Sequence, residues 1–520
     1  MRKFLMFFIV FGVFIGIVIG ASNEINKVDE VESGDNQIVT EVIPKIRLAL
    51  AGVDTFNPLT TQNEHVSNVL RLVYEPLFEY DYENQLKPCL ASEYFKRGDN
   101  SWVIRLQPGV EWQDGNILLA DDVVYTINYL KDENVNSVYK ANVRNISSVE
   151  RLDTETVVIN LIEDDPYIMS KLYFPIVSSR SIATTDEVQA LTPQSLIGTG
   201  PYEFVSEDAE KVLLKLNDTW WNYKGAKLKE IELMKYGSYA EAVKAFKSTE
   251  IDLIMTDMYS WKEKFGFIGI NSYSYESSTF ETLIPNTSKT GLSESSVRKA
   301  ILQAINRANI VSVVYEENAT IKDIPIPSYS KFKTESSDYN IEKAKQILVN
   351  AGWSNVSGSW KKGNQTLSFN LAVVESNKEQ VLVAEKIKND LQEIGIKISI
   401  KKMNWNDFSS AIANGNFDLA VATFDVKNEY QIQDMVKSVA SKNYAKYSNQ
   451  NMDALVEKLT TTQEEIYDET MENFIATYLN EMPYIGLYFK NNTMLANKSV
   501  KGEYKSTASN PFNNLINFYK

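Results

Sequence analysis

The chain has 520 residues, 44% hydrophobic and 23% charged, a globular composition with room for several domains of roughly 100 to 200 residues each. A formal net charge of -15 with no Lys/Arg-rich tract excludes a nucleic-acid partner, because phosphate binding needs a clustered basic surface. A single cysteine, Cys89, and a single histidine, His65, exclude a disulfide framework and a thiolate or His-rich metal cluster, so no metal or cofactor is expected.

The chain starts with Met1-Arg2-Lys3 and an uncharged apolar run from Phe4 to Ala21, the basic and apolar regions of an export signal. This run is at the lower limit for crossing a bilayer as a helix. Val18-Ile19-Gly20-Ala21 resembles a lipoprotein processing box, but Ala21 stands where the lipid-bearing cysteine belongs, so lipidation through cysteine is excluded. Two fates stay open: cleavage near Gly20 to Ser22, or retention as an N-terminal anchor with the following domain outside the membrane. Residues 22–44, rich in Asn, Asp, Glu and Ser, are expected to form a polar tether.

From Lys45 onward short strands alternate with amphipathic helices, without a repeat, which predicts an α/β body. His65, in a Gln-Asn-Glu-His stretch, reads as a surface or ligand-edge residue. Trp102, Ile104 and Leu106 alternate with polar neighbours as in a strand, Asp114-Gly115 marks a turn, and a helix is expected from about Asp121. Tyr202 to Val205 and Lys211 to Leu216 flank a polar loop and predict a hairpin. Val297, Ala300, Ile301, Ala304, Ile305, Ala308 and Val311 predict one helix from Val297 to about Tyr315, capped by Ser295 and Ser296. A helix from Ile341 to Ala351 should stop at Gly352, and another should stop at Gly395 before the strand Ile396 to Lys401.

These segments resemble, in order and over nearly all of the mature chain, the peptide/nickel-type solute-binding proteins of ABC transporters, bacterial solute-binding protein family 5. The resemblance begins with Phe56-Asn57-Pro58-Leu59, Val73-Tyr74-Glu75-Pro76-Leu77-Phe78 and Leu86-Lys87-Pro88-Cys89-Leu90-Ala91. It continues through Gly109-Val110-Glu111-Trp112-Gln113-Asp114-Gly115, Leu119-Ala120-Asp121-Asp122-Val123-Val124-Tyr125 and Gly198-Thr199-Gly200-Pro201-Tyr202. Val297 to Ile301, Ala351-Gly352-Trp353, Ile394-Gly395-Ile396, Phe417-Asp418-Leu419 and Val500-Lys501-Gly502 complete it. The resemblance implies a two-lobed periplasmic-binding-protein fold of the large oligopeptide-binding class, type II. One lobe would comprise residues 45–280 and 490–520, the other 281–489, with an extra subdomain at 80–195 on the first. It also implies a monomer that closes on a peptide or other small molecule and presents it, at the cytoplasmic membrane, to the permease subunits of an ABC importer.

In peptide-binding members of the family, an aspartate in a second-lobe strand and loop pairs with the peptide's ammonium, with a tryptophan three residues before it. Here Trp405 and Phe408 match the upstream part, Phe424 takes the tryptophan position, and the aspartate position falls on Lys427. Two ammonium groups about 4 Å apart repel by about 4 kcal/mol at an effective dielectric near 20. Either Asp425, on the same face of an extended strand, replaces the anchor, or the ligand presents no free amino group there and Lys427 attracts a carboxylate or phosphate. Otherwise Lys427 lies on a loop outside the cleft. Asn57, Glu64 and Tyr139 are further candidates for the cleft wall. Two rival functions stay open at this level: a membrane-anchored receptor for a signalling partner, and an exported hydrolase using paired carboxylates. No catalytic residue stands out, and the resemblance points to a family of binding proteins.

Overall fold

Alternation decides the first strand, β1 (Lys45–Ala51), whose Ile46, Leu48 and Leu50 are buried while Lys45 and Arg47 face outward. The structure is a computed structural model that describes residues 44–520 except 84, 166, 181–195, 259, 267, 428 and 462–463. The apolar leader and residues 22–43 of the tether lie outside the described residues.

The further strands used below are β2 (Ala91–Lys96), β3 (Ser101–Leu106), β4 (Ile146–Arg151), β5 (Thr156–Leu161), β6 (Tyr202–Glu207) and β7 (Lys211–Leu216). They continue with β8 (Glu230–Tyr236), β9 (Leu253–Thr256), β10 (Ile270–Pro285), β11 (Ser368–Val374), β12 (Lys397–Met403), β13 (Leu419–Asp425) and β14 (Ile485–Asn497). The large mixed sheet runs β12-β11-β13-β10-β14-β9-β1-β8-β7-β6. The expected hairpin is β6 and β7, paired antiparallel. A separate antiparallel sheet, β2-β3-β5-β4, carries helix α2 (Ala120–Lys131), which starts next to the predicted Asp121.

Two long strands join the halves of the large sheet. β10 pairs with β14 from Ile270↔Asn497 to Leu283↔Ile485, with register shifts between Glu276 and Phe280 and between Glu281 and Thr282. The bulge bends both strands at their middle. On one side, a large apolar cluster draws on residues from Ile46 to Leu253 and again from Met494 to Phe518, and a smaller one gathers Ala51, Phe246, Ile254, Trp261 and Leu495. On the other, two clusters draw on residues between Leu283 and Tyr488. At the bulge itself, Phe280, Val426 and Phe489 form a small cluster of their own.

One predicted helix is two. Helix α3 (Ser295–Ala304) ends at Ile305, whose backbone is extended, and α4 (Arg307–Tyr315) begins after Asn306, whose side chain accepts from the Asn309 N–H at 3.0 Å. Ile305 is fully buried across the break, so the apolar spacing persists although the backbone turns. Ser295 and Ser296 sit inside the first turn, and the residue at the cap position is Glu294. The predicted stops hold: the helix Ile341–Asn350 ends before Gly352 at φ +83, and α5 (Lys378–Glu393) ends before Gly395 at φ +90. The Gly198 to Tyr202 turn runs against Val73, where a Cβ on Gly198 would come 1.8 Å from the Val73 carbonyl oxygen.

Candidate ligand-binding cleft

Helix α1 (Glu64–Leu70) is fixed by Asn63, whose side chain accepts from the backbone N–H groups of His65 and Val66. Val66, Val69 and Leu70 anchor one face in the core. The opposite face, Glu64, Ser67, Asn68 and Arg71, lines a cavity of about 610 Å³. The cavity floor comes from the β10 bulge, with Tyr275 and Ser277 to Thr279, and a further wall from Met255 to Asp257 at the end of β9. From the other half of the sheet come Asp425 and Lys427, at the end of β13. Pairing of Asp425 with Thr279 puts the end of β13 beside the bulge, and the Val426 N–H donates to the Ser278 carbonyl at 2.7 Å.

Six tyrosines, Tyr80, Tyr139, Tyr173, Tyr239, Tyr275 and Tyr329, give the cleft large flat surfaces with polar edges. Tyr239 donates to the Met255 carbonyl at 2.7 Å, and its ring stacks on His65 at 5.3 Å. Burial pushes the Tyr239 phenol up to about 12, against the hydrogen bond to Thr256, so it remains a neutral donor at physiological pH. Tyr139 packs edge-on to Tyr173 at 6.1 Å. Tyr329 donates to the Lys427 carbonyl at 2.8 Å.

The Lys427 ammonium stands 3.7 Å from the Asp425 carboxylate. Partial burial opposes its charge, but Tyr173, Asp425 and Tyr139 outweigh burial and the nearby Arg71, so its pKa is raised. It is a cation throughout the physiological range. Among the described residues, the Arg71 guanidinium makes no hydrogen bond or ion pair, and neither do the Glu64 and Asp257 carboxylates. Arg71 also borders a second cavity, of about 440 Å³, together with Tyr80, Glu75 and Glu79.

Of the residues singled out in the sequence, Glu64, His65, Tyr139, Asp425 and Lys427 meet at this cleft. The other three lie outside its lining. Asn57 is fully buried, and its side-chain oxygen accepts from the Leu59 N–H at 2.9 Å. Trp405 is 64% exposed at the start of a helix, stacked on Phe408. Phe424 packs against Tyr444 and Tyr484, because it points away from the face that carries Asp425. Sequence reasoning passed over Arg71, Asp257 and Tyr239. The i, i+3, i+4, i+7 spacing of Glu64, Ser67, Asn68 and Arg71 was the signal available for Arg71. Among the described residues, no group of three or more His, Cys, Asp or Glu could hold a metal ion.

A two-lobed α/β chain with a deep, tyrosine-lined cleft beside the strands that connect its halves has the fold of a ligand-binding receptor. The family model for the middle part of bacterial extracellular solute-binding proteins, family 5, matches residues 85–444, and the chain belongs to that family. It is 23% identical over 478 residues to the oligopeptide-binding protein AppA of Bacillus subtilis, covering 86% of each chain. It is also 23% identical over 444 residues to the periplasmic oligopeptide-binding protein OppA of Salmonella typhimurium, covering 78% of this chain and 79% of that one. Its fold is similar to that of the ABC transporter substrate-binding protein CtaP from Listeria monocytogenes, with a TM-score of 0.74 at 23% identity, over 92% of this chain and 99% of that one.

Proposed function

We propose that this protein captures a peptide or peptide-like compound outside the cytoplasmic membrane and delivers it to the permease of an ABC importer. The observation that carries this reading is the 610 Å³ cleft, bordered by elements from both halves of the sheet and floored by the bulge of the two connecting strands. Bending at such a bulge brings the walls together with little disturbance of either core, so that closure reports occupancy to the permease. The separation of apolar clusters supports lobes of residues 45–280 with 490–520 and of 281–489. Tyrosine faces suit a peptide backbone and varied side chains alike, and enclosure supplies affinity without any chemical step.

The Asp425–Lys427 pair supports a ligand that presents no ammonium at this end of the cleft. Asp425 already has a cation beside it, and Lys427 favours a carboxylate. Native mass spectrometry of the purified protein tests the proposal. A stoichiometric, unaltered peptide or peptide-like mass is expected; conversion of a peptide panel into products would instead establish a hydrolase.

A further inference from the structure

The charged groups of the cleft lie toward two ends, with Asp425 paired to Lys427 at the second. Glu64 and Asp257 belong to one end: Glu64 acts electrostatically on Tyr275 and Asp257 on Tyr239, and both tyrosines direct their hydroxyls at Met255. Arg71 and Lys427 belong to the other, where Lys427 is within electrostatic reach of Arg71, Tyr139 and Tyr173. Helix α1 connects the two ends. Glu64 opens it, Arg71 is its C-cap in helical conformation, and the two occupy the same face. Seven positions at about 1.5 Å each set their Cα atoms about 10 Å apart along the axis.

Neither Glu64, Asp257 nor Arg71 has a hydrogen-bond or ion-pair partner among the described residues, so their charges are available to a ligand. An extended chain covers about 3.3 to 3.6 Å per residue, so about three residues span 10 Å, and side-chain reach admits a fourth.

We propose that α1 acts as a charged ruler for a zwitterionic ligand: the ammonium of a peptide of three or four residues lies at Glu64 and Asp257, and its carboxylate at Arg71 and Lys427. This rests on the peptide reading above and adds a direction and a length to it. The polarity is opposite to one in which Asp425 holds the ammonium.

Isothermal titration calorimetry with alanine peptides of two to six residues, freed of co-purified ligand by unfolding and refolding the protein, tests both. Trialanine and tetra-alanine should bind best, and N-acetylation or C-amidation should each weaken them at least tenfold. The double variant Arg71→Ala/Lys427→Met should abolish the amidation penalty and leave the acetylation penalty, while Arg71→Lys keeps both. The double variant Glu64→Gln/Asp257→Asn should do the reverse. Unchanged unfolding temperatures establish that these variants fold. If the acetylation penalty survives Glu64→Gln/Asp257→Asn and disappears in Asp425→Asn, the polarity is wrong although peptide capture stands. Caps without effect, or a length optimum at five or six, also overturn the ruler. Failure of every peptide to bind the unsubstituted protein overturns the ruler and the peptide reading together.

Discussion

Glu75 lies deep in the first half of the molecule, 6% exposed, and both of its carboxylate oxygens accept indole N–H groups, from Trp220 at 3.0 Å and Trp221 at 2.8 Å. Burial is the dominant influence and raises its pKa from 4.5 to about 7; the bonds from Trp221 and Trp220 work in the opposite direction, and the neighbouring Glu79 adds to the rise. Between these two values the folded chain holds a proton that the unfolded chain has lost, so stability is greatest below pH 4.5 in this respect and declines as pH rises toward 7. A shift of this size corresponds to about 3 kcal/mol. Chemical denaturation from pH 4.5 to 8 should show that decline, and Glu75→Gln should remove it; parallel profiles for the two proteins would contradict the assignment. Residue identity disclosed Glu64, Asp425 and Lys427 as candidates, because charged side chains in these motifs stand out. It could not disclose that Asn57 turns inward to brace its own loop, since only the completed turn offers it the Leu59 N–H.

At the level of elements, the β10/β14 pair carries both the connection between the halves and a buried charge. Glu281 is fully buried beside the bulge, its pKa raised by burial and lowered by Lys490, whose ammonium lies 3.2 Å away. Removing one partner of such a pair leaves a buried charge uncompensated, whereas removing both does not. Lys490→Met should therefore cost about 3 kcal/mol in urea unfolding, and Lys490→Met/Glu281→Gln clearly less than that. A double variant as unstable as the sum of the single ones would remove the coupling. Asn306, at the break between α3 and α4, should contribute through its cap: Asn306→Ala is expected to cost about 1 kcal/mol. The strands, the glycine-ended helices and the hairpin were legible because their periodicity and stop residues are local. The break at Ile305 was not, because a buried isoleucine fits the apolar pattern in either backbone conformation.

For the whole molecule, two cores joined by two bent strands predict a ligand-dependent change of shape. Small-angle scattering should record a smaller radius of gyration on addition of whichever alanine peptide binds in calorimetry. At a hundredfold excess over Kd, the same peptide should stabilise the protein by about 2.7 kcal/mol, read as a higher unfolding temperature. Binding without compaction would separate capture from closure. The sequence by itself determined the family, the α/β class and several element boundaries, since these follow from short-range spacing and from motifs spread along the chain. Only the tertiary structure decided which of the candidate residues meet. Strand β13 enters the sheet beside β10, so its end at Asp425 and Lys427 comes to face α1, more than three hundred residues earlier in the chain. No local pattern encodes that encounter: it follows from strand order and register, which place charges from distant segments around one cavity.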